Sequence, residues 1–329
     1  MKLDLELLKK LYLIDHPSRY ENTMISFIIN YCYKIPNLTI EMDHYNNLFI
    51  TKNTNNLETY PCLISHMDCV LSHSNREIEI VGDIIRGRDP KTGKQISLAM
   101  DDSNGICVCL QLLNALPDIK VCFTTEEEIG FLGAQEAAKN VDFFYNVKYL
   151  IQPDRHGNSD LITWTNGIHS SSDEFVNDIK TIMEKYNYKE AHGIGTDVGE
   201  LSENLLISGV NVSCGYMHEH TDLEETNLKD LENCLNFIRS IIKWLCEDKI
   251  YDIKLEYQYY PSYPYNRLAY GYGHNQYIDP DWDRFYNEEE EDWNRGVEFQ
   301  KQTQSSGPSE DIPCDHCKDM DCMHCKFTW

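Results

Sequence analysis

Positive charge and long apolar runs are both scarce in this sequence of 329 residues. Only 29 residues are Lys or Arg against 54 Asp or Glu, so the formal net charge is −25 with histidine neutral. Such a charge repels phosphate backbones and anionic lipid surfaces, which argues against nucleic acid and membranes as partners. No stretch approaches the roughly 18 apolar residues of a membrane span. The first ten residues mix charged side chains with leucine, so we expect no secretory signal.

Cysteine, by contrast, is plentiful. There are thirteen cysteines, an odd number, and the nine before position 300 are scattered among apolar runs. This pattern favours reduced thiols over a disulfide framework and predicts a cytoplasmic protein. Hydrophobic residues make up 41% of the chain, enough for the core of one large or two smaller domains.

Residues 1–250 alternate helical patterns with short β-rich runs, which predicts an α/β domain with a largely parallel, buried sheet. The predicted strands are Leu38–Met42, Leu48–Thr51, Cys62–His66, Glu77–Val81, Lys120–Thr125, Val147–Gln152 and Leu205–Ser213. The predicted helices are Met1–Ile14, 18–33, Ser103–Leu116, Ser172–Tyr186 and Leu228–Cys246. For the second of these helices, Ser18 and Glu21 have the spacing of a capping box.

Residues 251–329 have a different composition and no helical or strand period. Ten of the 21 tyrosines lie in 251–286, and an acidic run follows at 288–292. We expect an appendage that is partly disordered, or ordered only by docking on the domain or on a protein partner that the sequence does not identify.

Two CxxC pairs lie near the end of this appendage. They are formed by Cys314, Cys317, Cys322 and Cys325. Only four residues separate the pairs, which is tighter than in usual zinc ribbons. Three interpretations stay open: an extra structural zinc site, a labile redox cluster and an inert tail.

A histidine stands at the end of one predicted strand. His66 would face the crevice where open α/β sheets bind ligands. Two residues on, Asp68 can accept the second N–H of the imidazole and fix its tautomer. Alone, the pair is weak evidence, because a single histidine is more often a packed or surface residue.

Carboxylates follow other predicted strands or precede a helix. Asp101 and Asp102 form an adjacent pair that repels itself unless a cation neutralises it, although a helix cap explains one of them. Glu126, Glu127 and Glu128 follow another strand, where they could form a solvated turn or the start of a helix. Alternatively, one of them could bind a metal while its neighbour acts as general base on a metal-bound water.

Asp154 and His220 follow two further strands and complete the set. Five strand-end or helix-start motifs that present His, Asp, Glu, Asp and His make a mixed nitrogen and oxygen donor set, suited to zinc, manganese or cobalt. Two histidines and three carboxylates are too many for one tetrahedral ion. They suit two ions that share a bridging carboxylate.

With these five motifs in this order, the chain resembles the di-zinc exopeptidases related to peptidase T, bacterial leucyl aminopeptidases and glutaminyl cyclases. The motifs are His-x-Asp, Asp-Asp-x-x-Gly, Glu-Glu-Ile-Gly, a post-strand Asp and a final His-Thr, and the resemblance covers about residues 1–248. The resemblance implies a three-layer α/β/α domain of the phosphorylase/hydrolase-like zinc-exopeptidase type, with a mixed, mostly parallel sheet.

The resemblance also implies ligands for two divalent ions. The first ion would be held by His66, Asp101 and Asp154, and the second by Asp101, Glu128 and His220. His220 is preferred to His218 because the family pattern is His-Thr followed closely by Glu, which Glu224 supplies.

Two catalytic roles follow from the same resemblance. Asp68 would orient His66, and Glu127 would be the general base on a metal-activated water. The peptide bond between Asp101 and Asp102 is usually cis in this family. The segment 195–198 resembles one near the substrate in the family, with no defined role.

One departure concerns the lid domain that many relatives insert between the equivalents of Asp154 and His220. Only 65 residues separate the two here, so we expect no lid. The implied function is an aminopeptidase acting on small peptides. Two alternatives remain: an amidohydrolase acting on N-acyl amino acids, and a catalytically silent binding protein of the same fold.

Overall fold

The computed structural model describes residues 1–55, 57–165 and 167–255. The four tail cysteines and the appendage beyond residue 255 lie outside the described residues. The described helices are α1 (Leu5–Tyr12), α2 (Asn22–Cys32), α3 (Met100–Ala115), α4 (Leu132–Ala137), α5 (Val141–Phe144), α6 (Asp173–Tyr186), α7 (Asp197–Leu205) and α8 (Leu228–Trp244).

The described strands fall into a large and a small sheet. They are β1 (Leu38–Met42), β2 (Leu48–Asn53), β3 (Tyr60–His66), β4 (Glu77–Val81), β5 (Ile84–Arg88), β6 (Gln95–Ile96), β7 (Asp118–Thr124), β8 (Val147–Arg155), β9 (Asp160–Thr165), β10 (Ile168–His169), β11 (Lys189–His192), β12 (Gly209–Ser213), β13 (Tyr216–Met217) and β14 (Glu225–Asn227). The large sheet has the order β1-β2-β7-β3-β8-β12-β9-β10, with β11 paired to β9. Its central strands β7, β3, β8 and β12 are parallel, and antiparallel pairs flank them.

Helices cover both faces of the large sheet. On β3, Leu63 packs into the core formed with α1, α2, α3, α6 and α8, whereas Cys62 and Ile64 pack into a second core formed with α4, α5 and α7. This alternation follows from the two-residue period of a strand, and burial on both faces explains the continuous apolar runs. The predicted three-layer α/β/α fold with a mixed sheet that is parallel in its centre is confirmed.

The small sheet has the order β13-β14-β5-β4, with β6 paired to β5. It joins residues 77–96 to the segment that carries His220, which lies in the loop between β13 and β14. Only β4 is predicted from the sequence. Strand β5 is as long as β4 but has no alternating apolar pattern, and β6, β13 and β14 have only two or three residues each.

Two local predictions are wrong. Ser18 and Glu21 form no capping box: Glu21 makes no side-chain cap bond at the start of α2, and the Ser18 hydroxyl donates instead to Asp68 Oδ2 at 2.7 Å. Leu205 does not begin a strand but ends α7, and β12 begins only at Gly209. Local patterns cannot reveal a hydroxyl whose acceptor is fifty residues away.

Between Asp154 and His220, the described residues add strands β9 to β12 to the large sheet instead of a separate lid. At the end of the described chain, Tyr251 and Ile253 are buried, beyond the boundary expected at residue 250. The Tyr251 N–H donates to Lys148 O at 2.9 Å, and the Ser208 N–H donates to Tyr251 O at 2.7 Å. The domain therefore continues through Ile253.

The nine described cysteines are free thiols, and eight of them are buried. No described helix is long and apolar enough to cross a membrane.

Candidate metal centre

The structure brings the predicted site residues together at one edge of the large sheet, where its parallel strands end. His66 is the last residue of β3, and Asp154 lies at the end of β8. Glu127 and Glu128 follow β7, and Asp101 lies at the start of α3. The carboxyl ends of parallel strands share an edge, so residues far apart in sequence meet there.

Asp101 lies at the centre of the cluster, and each of its carboxylate oxygens faces a different histidine. Asp101 Oδ1 lies 2.9 Å from His66 Nε2, and Asp101 Oδ2 lies 3.3 Å from His220 Nε2. His66 Nε2 is also 3.4 Å from Asp154 Oδ1, and His220 Nε2 is 3.0 Å from Glu128 Oε2. The peptide bond from Asp101 to Asp102 is cis.

The second aspartate of the pair is held by hydrogen bonds within the chain. Asp102 Oδ2 accepts from Ser65 Oγ at 2.6 Å, and Oδ1 accepts from the Gly105 N–H at 2.9 Å. A Cβ at Gly105 would lie 2.3 Å from the Asp102 carboxylate, so this close approach requires glycine.

Asp68 contacts both the histidine and the acidic loop. The closest Asp68 atom to His66 Nδ1 is the main-chain carbonyl oxygen at 3.0 Å, and Asp68 Oδ1 lies at 3.4 Å. The carboxylate accepts from the backbone N–H groups of Glu127 at 3.0 Å and Glu128 at 3.2 Å, and from the Ser18 hydroxyl. Asp68 therefore also fixes the backbone of the loop that carries Glu127.

Three groups of described residues have ligand atoms within 4.8 Å of one another and could hold a metal ion. These groups are His66, Asp102 and Asp154; His66, Glu127 and Glu128; and Asp101, Glu128 and His220. Glu128 Oε1 is buried and has no hydrogen-bond partner. Imidazole nitrogens and carboxylate oxygens are the donors that zinc and related divalent ions prefer, so the residues fit such ions.

Crowding of buried carboxylates dominates the electrostatics. Burial and the Asp101 carboxylate raise the pKa of Asp154 to about 7. Burial and nearby carboxylates also raise the pKa of Glu127 well above its ordinary value. Burial would lower the pKa of His66, but Asp154, Asp101 and Asp68 outweigh it and hold this pKa well above its ordinary value. A divalent cation would offset this excess negative charge.

Three further residues support the cluster, and the sequence assigns no role to them. Gln152 Nε2 donates to Asp154 Oδ2 at 2.7 Å, and its Oε1 accepts from Thr196 Oγ1 at 2.6 Å. Asp197 is fully buried and accepts from the Thr124 hydroxyl, and burial is the main cause that raises its pKa to about 8. Glu224 Oε1 accepts a hydrogen bond from the Asp101 N–H at 3.1 Å. The only sequence signals were the resemblance of segment 195–198 and the spacing of Glu224 from His220.

Comparisons with known proteins point to peptidases. Residues 85–237 match the family model described as M42 glutamyl aminopeptidase. Among solved structures, aminopeptidase PepT from Bacillus cereus superposes with a TM-score of 0.62 at 14% identity, covering 75% of this chain and 98% of that one. A tripeptidase from Staphylococcus aureus gives a TM-score of 0.58 at 15% identity, covering 73% and 96%.

A third similar structure is the Pyrococcus horikoshii TET1 peptidase, which can assemble into a tetrahedron or a large octahedral shell. Its TM-score is 0.54 at 16% identity, covering 72% of this chain and 98% of that one. No curated protein sequence matches the chain. The match of residues 85–237 confirms the predicted resemblance to di-zinc exopeptidases and indicates a metal-dependent hydrolase of the aminopeptidase type. The similar solved structures confirm the fold.

Proposed function

We propose that this chain is an aminopeptidase that removes N-terminal residues from small peptides with two divalent ions, zinc first, with manganese or cobalt as alternatives. The observation that carries the proposal is the central carboxylate, whose two oxygens lie 2.9 Å and 3.3 Å from the histidines on either side. A carboxylate placed between two nitrogen donors is the arrangement that a two-ion site needs.

We assign the ligands accordingly. His66, Asp101 and Asp154 would hold the first ion, and Asp101, Glu128 and His220 the second. Support comes from the distances between the Nε2 atom of each histidine and the carboxylate oxygens of its set, which lie between 2.9 and 3.4 Å. Two ions bound there would polarise the scissile carbonyl and make water acidic enough to react near neutral pH.

Glu127 is the residue we assign as general base, with Asp68 as the group that orients it and His66. The Glu127 carboxylate lies within 4.8 Å of ligand atoms of His66 and Glu128, and its backbone N–H is fixed by Asp68. Burial raises its pKa well above the ordinary value of a glutamate, and a raised pKa suits a group that first accepts a proton and then donates it. Glu127 would take the proton of the attacking water and deliver it to the leaving nitrogen.

Mass spectrometry of a defined peptide pool tests this function. The zinc-loaded full chain is incubated with free peptides and with the same peptides N-acetylated. Stepwise shortening of the free peptides alone is the expected result. Release of acyl groups with no shortening would replace the proposal with an N-acyl amidohydrolase. No reaction, with two ions bound, would favour a silent binding protein.

The remaining proposals concern the tail and the location of the protein. We propose an extra structural zinc held by Cys314, Cys317, Cys322 and Cys325, since four thiolates suit a closed zinc site. Zinc counting on the full chain with all four changed to serine tests it, and an unchanged count would contradict it. The nine described free thiols support a cytoplasmic location.

A further inference from the structure

One buried carboxylate outside the assigned ligand sets contacts the backbone of the central aspartate. Glu224 is 1% exposed and lies four residues after His220. Its Oε1 accepts from the N–H groups of Met100 and Asp101, both at 3.1 Å. Its Oε2 accepts from Ser97 Oγ at 2.6 Å.

The backbone N–H groups at residues 99–101 need hydrogen-bond acceptors from side chains. Asp101 and Asp102 have non-helical dihedral angles, and Ala99 is left-handed with φ 54°. The Ala99 N–H donates to Ser97 Oγ at 2.9 Å, which in turn donates to Glu224. Glu224 and Ser97 thus supply acceptors for three consecutive N–H groups, which would otherwise be buried without partners.

We propose that Glu224 is a positioning residue for the metal centre. It holds the Asp101 backbone so that each carboxylate oxygen faces one histidine. Because Glu224 and His220 lie in one short loop, the same contact sets the distance between Asp101 and His220. This inference rests on the proposed function, since it assumes the ion sites assigned there.

A purely structural role would give a different result. If Glu224 served only the fold, its loss would lower the free energy of unfolding and leave the ion affinities of the folded protein unchanged. A positioning role predicts weaker binding of the ion that Asp101, Glu128 and His220 would share, even in protein that is fully folded.

The variants are Glu224→Ala and Glu224→Gln, with Glu225→Gln as the matched control. Glu225 is the next residue, half-buried, and its Oε2 accepts from Arg86 Nε at 2.8 Å in the small sheet. In Glu224→Gln, the amide oxygen can still accept from the N–H groups of Met100 and Asp101. The amide nitrogen would face the Ser97 hydroxyl, which donates to the carboxylate in the wild type and would have to accept in the variant. It should therefore fold, and its effect should be the smaller one.

Zinc affinity is measured by competition with a chromophoric chelator on folded full-length protein, and cobalt-loaded samples are compared by visible absorption. We expect Glu224→Ala to bind the ion shared by Asp101, Glu128 and His220 about 10- to 100-fold less tightly and to change the cobalt spectrum. Glu224→Gln should lose less, and Glu225→Gln should match wild type.

Wild-type affinity for both ions in folded Glu224→Ala would overturn the proposal. If that variant does not fold, wild-type affinity and an unchanged cobalt spectrum in Glu224→Gln would overturn it. Neither readout needs peptide cleavage. A wild type that binds two ions but cleaves no peptide would contradict the proposed function and leave this inference standing.

Discussion

The two ends of the large sheet differ in their buried charges. The carboxyl ends of the central strands carry the acidic cluster around Asp101, whereas the opposite end carries three buried lysines, Lys52, Lys120 and Lys148, and one buried aspartate, Asp118. At the lysine end, each ammonium group has acceptors within the chain. At the acidic end, Glu128 Oε1 and Asp197 Oδ1 are buried without hydrogen-bond partners.

The lysines bind carbonyl oxygens at the ends of helices. Lys52 Nζ donates to Leu113 O at 2.9 Å, at the end of α3, and Lys148 Nζ donates to Glu247 O at 2.8 Å, just after α8. Lys120 Nζ donates to Phe143 O at the end of α5. Helix C-termini carry unpaired carbonyl groups and partial negative charge, which an ammonium group neutralises.

The difference between the two ends of the sheet assigns the lysines to the stability of the fold and the acidic cluster to the proposed function. Charges at the lysine end are balanced by the fold itself. At the acidic end, the described cationic contacts of the assigned ligand carboxylates are His66 and His220. The remaining negative charge is offset by protonation, which the raised pKa values of Asp154 and Glu127 favour, or by bound cations.

Glu127→Gln should lower kcat by about 10²- to 10⁴-fold, the usual contribution of a positioned base, while zinc content stays at the wild-type level. Peptide turnover and metal analysis measure the two quantities. Glu126→Gln, in the neighbouring residue, is the control and should keep its turnover. Near wild-type kcat in Glu127→Gln would show that another group is the base.

Zinc should stabilise the wild type by about 2.7 kcal/mol at a free concentration 100 times its Kd. Urea unfolding with and without zinc measures this difference. Asp101→Asn replaces the central carboxylate with a neutral amide, so zinc should stabilise this variant much less. If the free energy of unfolding of the wild type did not depend on zinc, the proposed difference between the two ends would be wrong.

Lys120→Met and Lys52→Met should lower the free energy of unfolding by about 1–3 kcal/mol, because carbonyl groups at helix ends lose a charged donor. Their stabilisation by zinc should match that of the wild type. The exposed Lys180 on α6 provides a control, Lys180→Met, expected to be neutral. Loss of zinc binding in Lys120→Met would mean that the ends are coupled.

Ser18→Ala should lower kcat/KM by about fivefold, corresponding to ~1 kcal/mol for one of the hydrogen bonds that hold the Asp68 carboxylate. Ser18→Thr keeps the hydroxyl and should restore most of the loss. Peptidase kinetics at saturating zinc provide the measurement. Equal activity in all three proteins would show that the other donors to Asp68 suffice.

The sequence reveals those parts of the site that follow a strand. His66 and Asp154 each end a strong apolar run, and neighbouring parallel strands deliver such residues to one edge. Ser18 and Glu224 escape this reasoning because their partners lie far away along the chain. Gln152 has one near partner, Asp154, but its contact with Thr196 joins it to a distant segment. The same limit applies to the small sheet, whose strands are held by pairing between distant segments and not by their own periodicity.

The placement of His220 in the loop between β13 and β14 of the small sheet has a mechanical consequence. The other assigned ligands lie on or beside the large sheet, so an ion shared by Asp101, Glu128 and His220 would cross-link the two sheets. Occupancy of that ion would then slow amide exchange in β14 and β5, many residues from any assigned ligand on the large sheet.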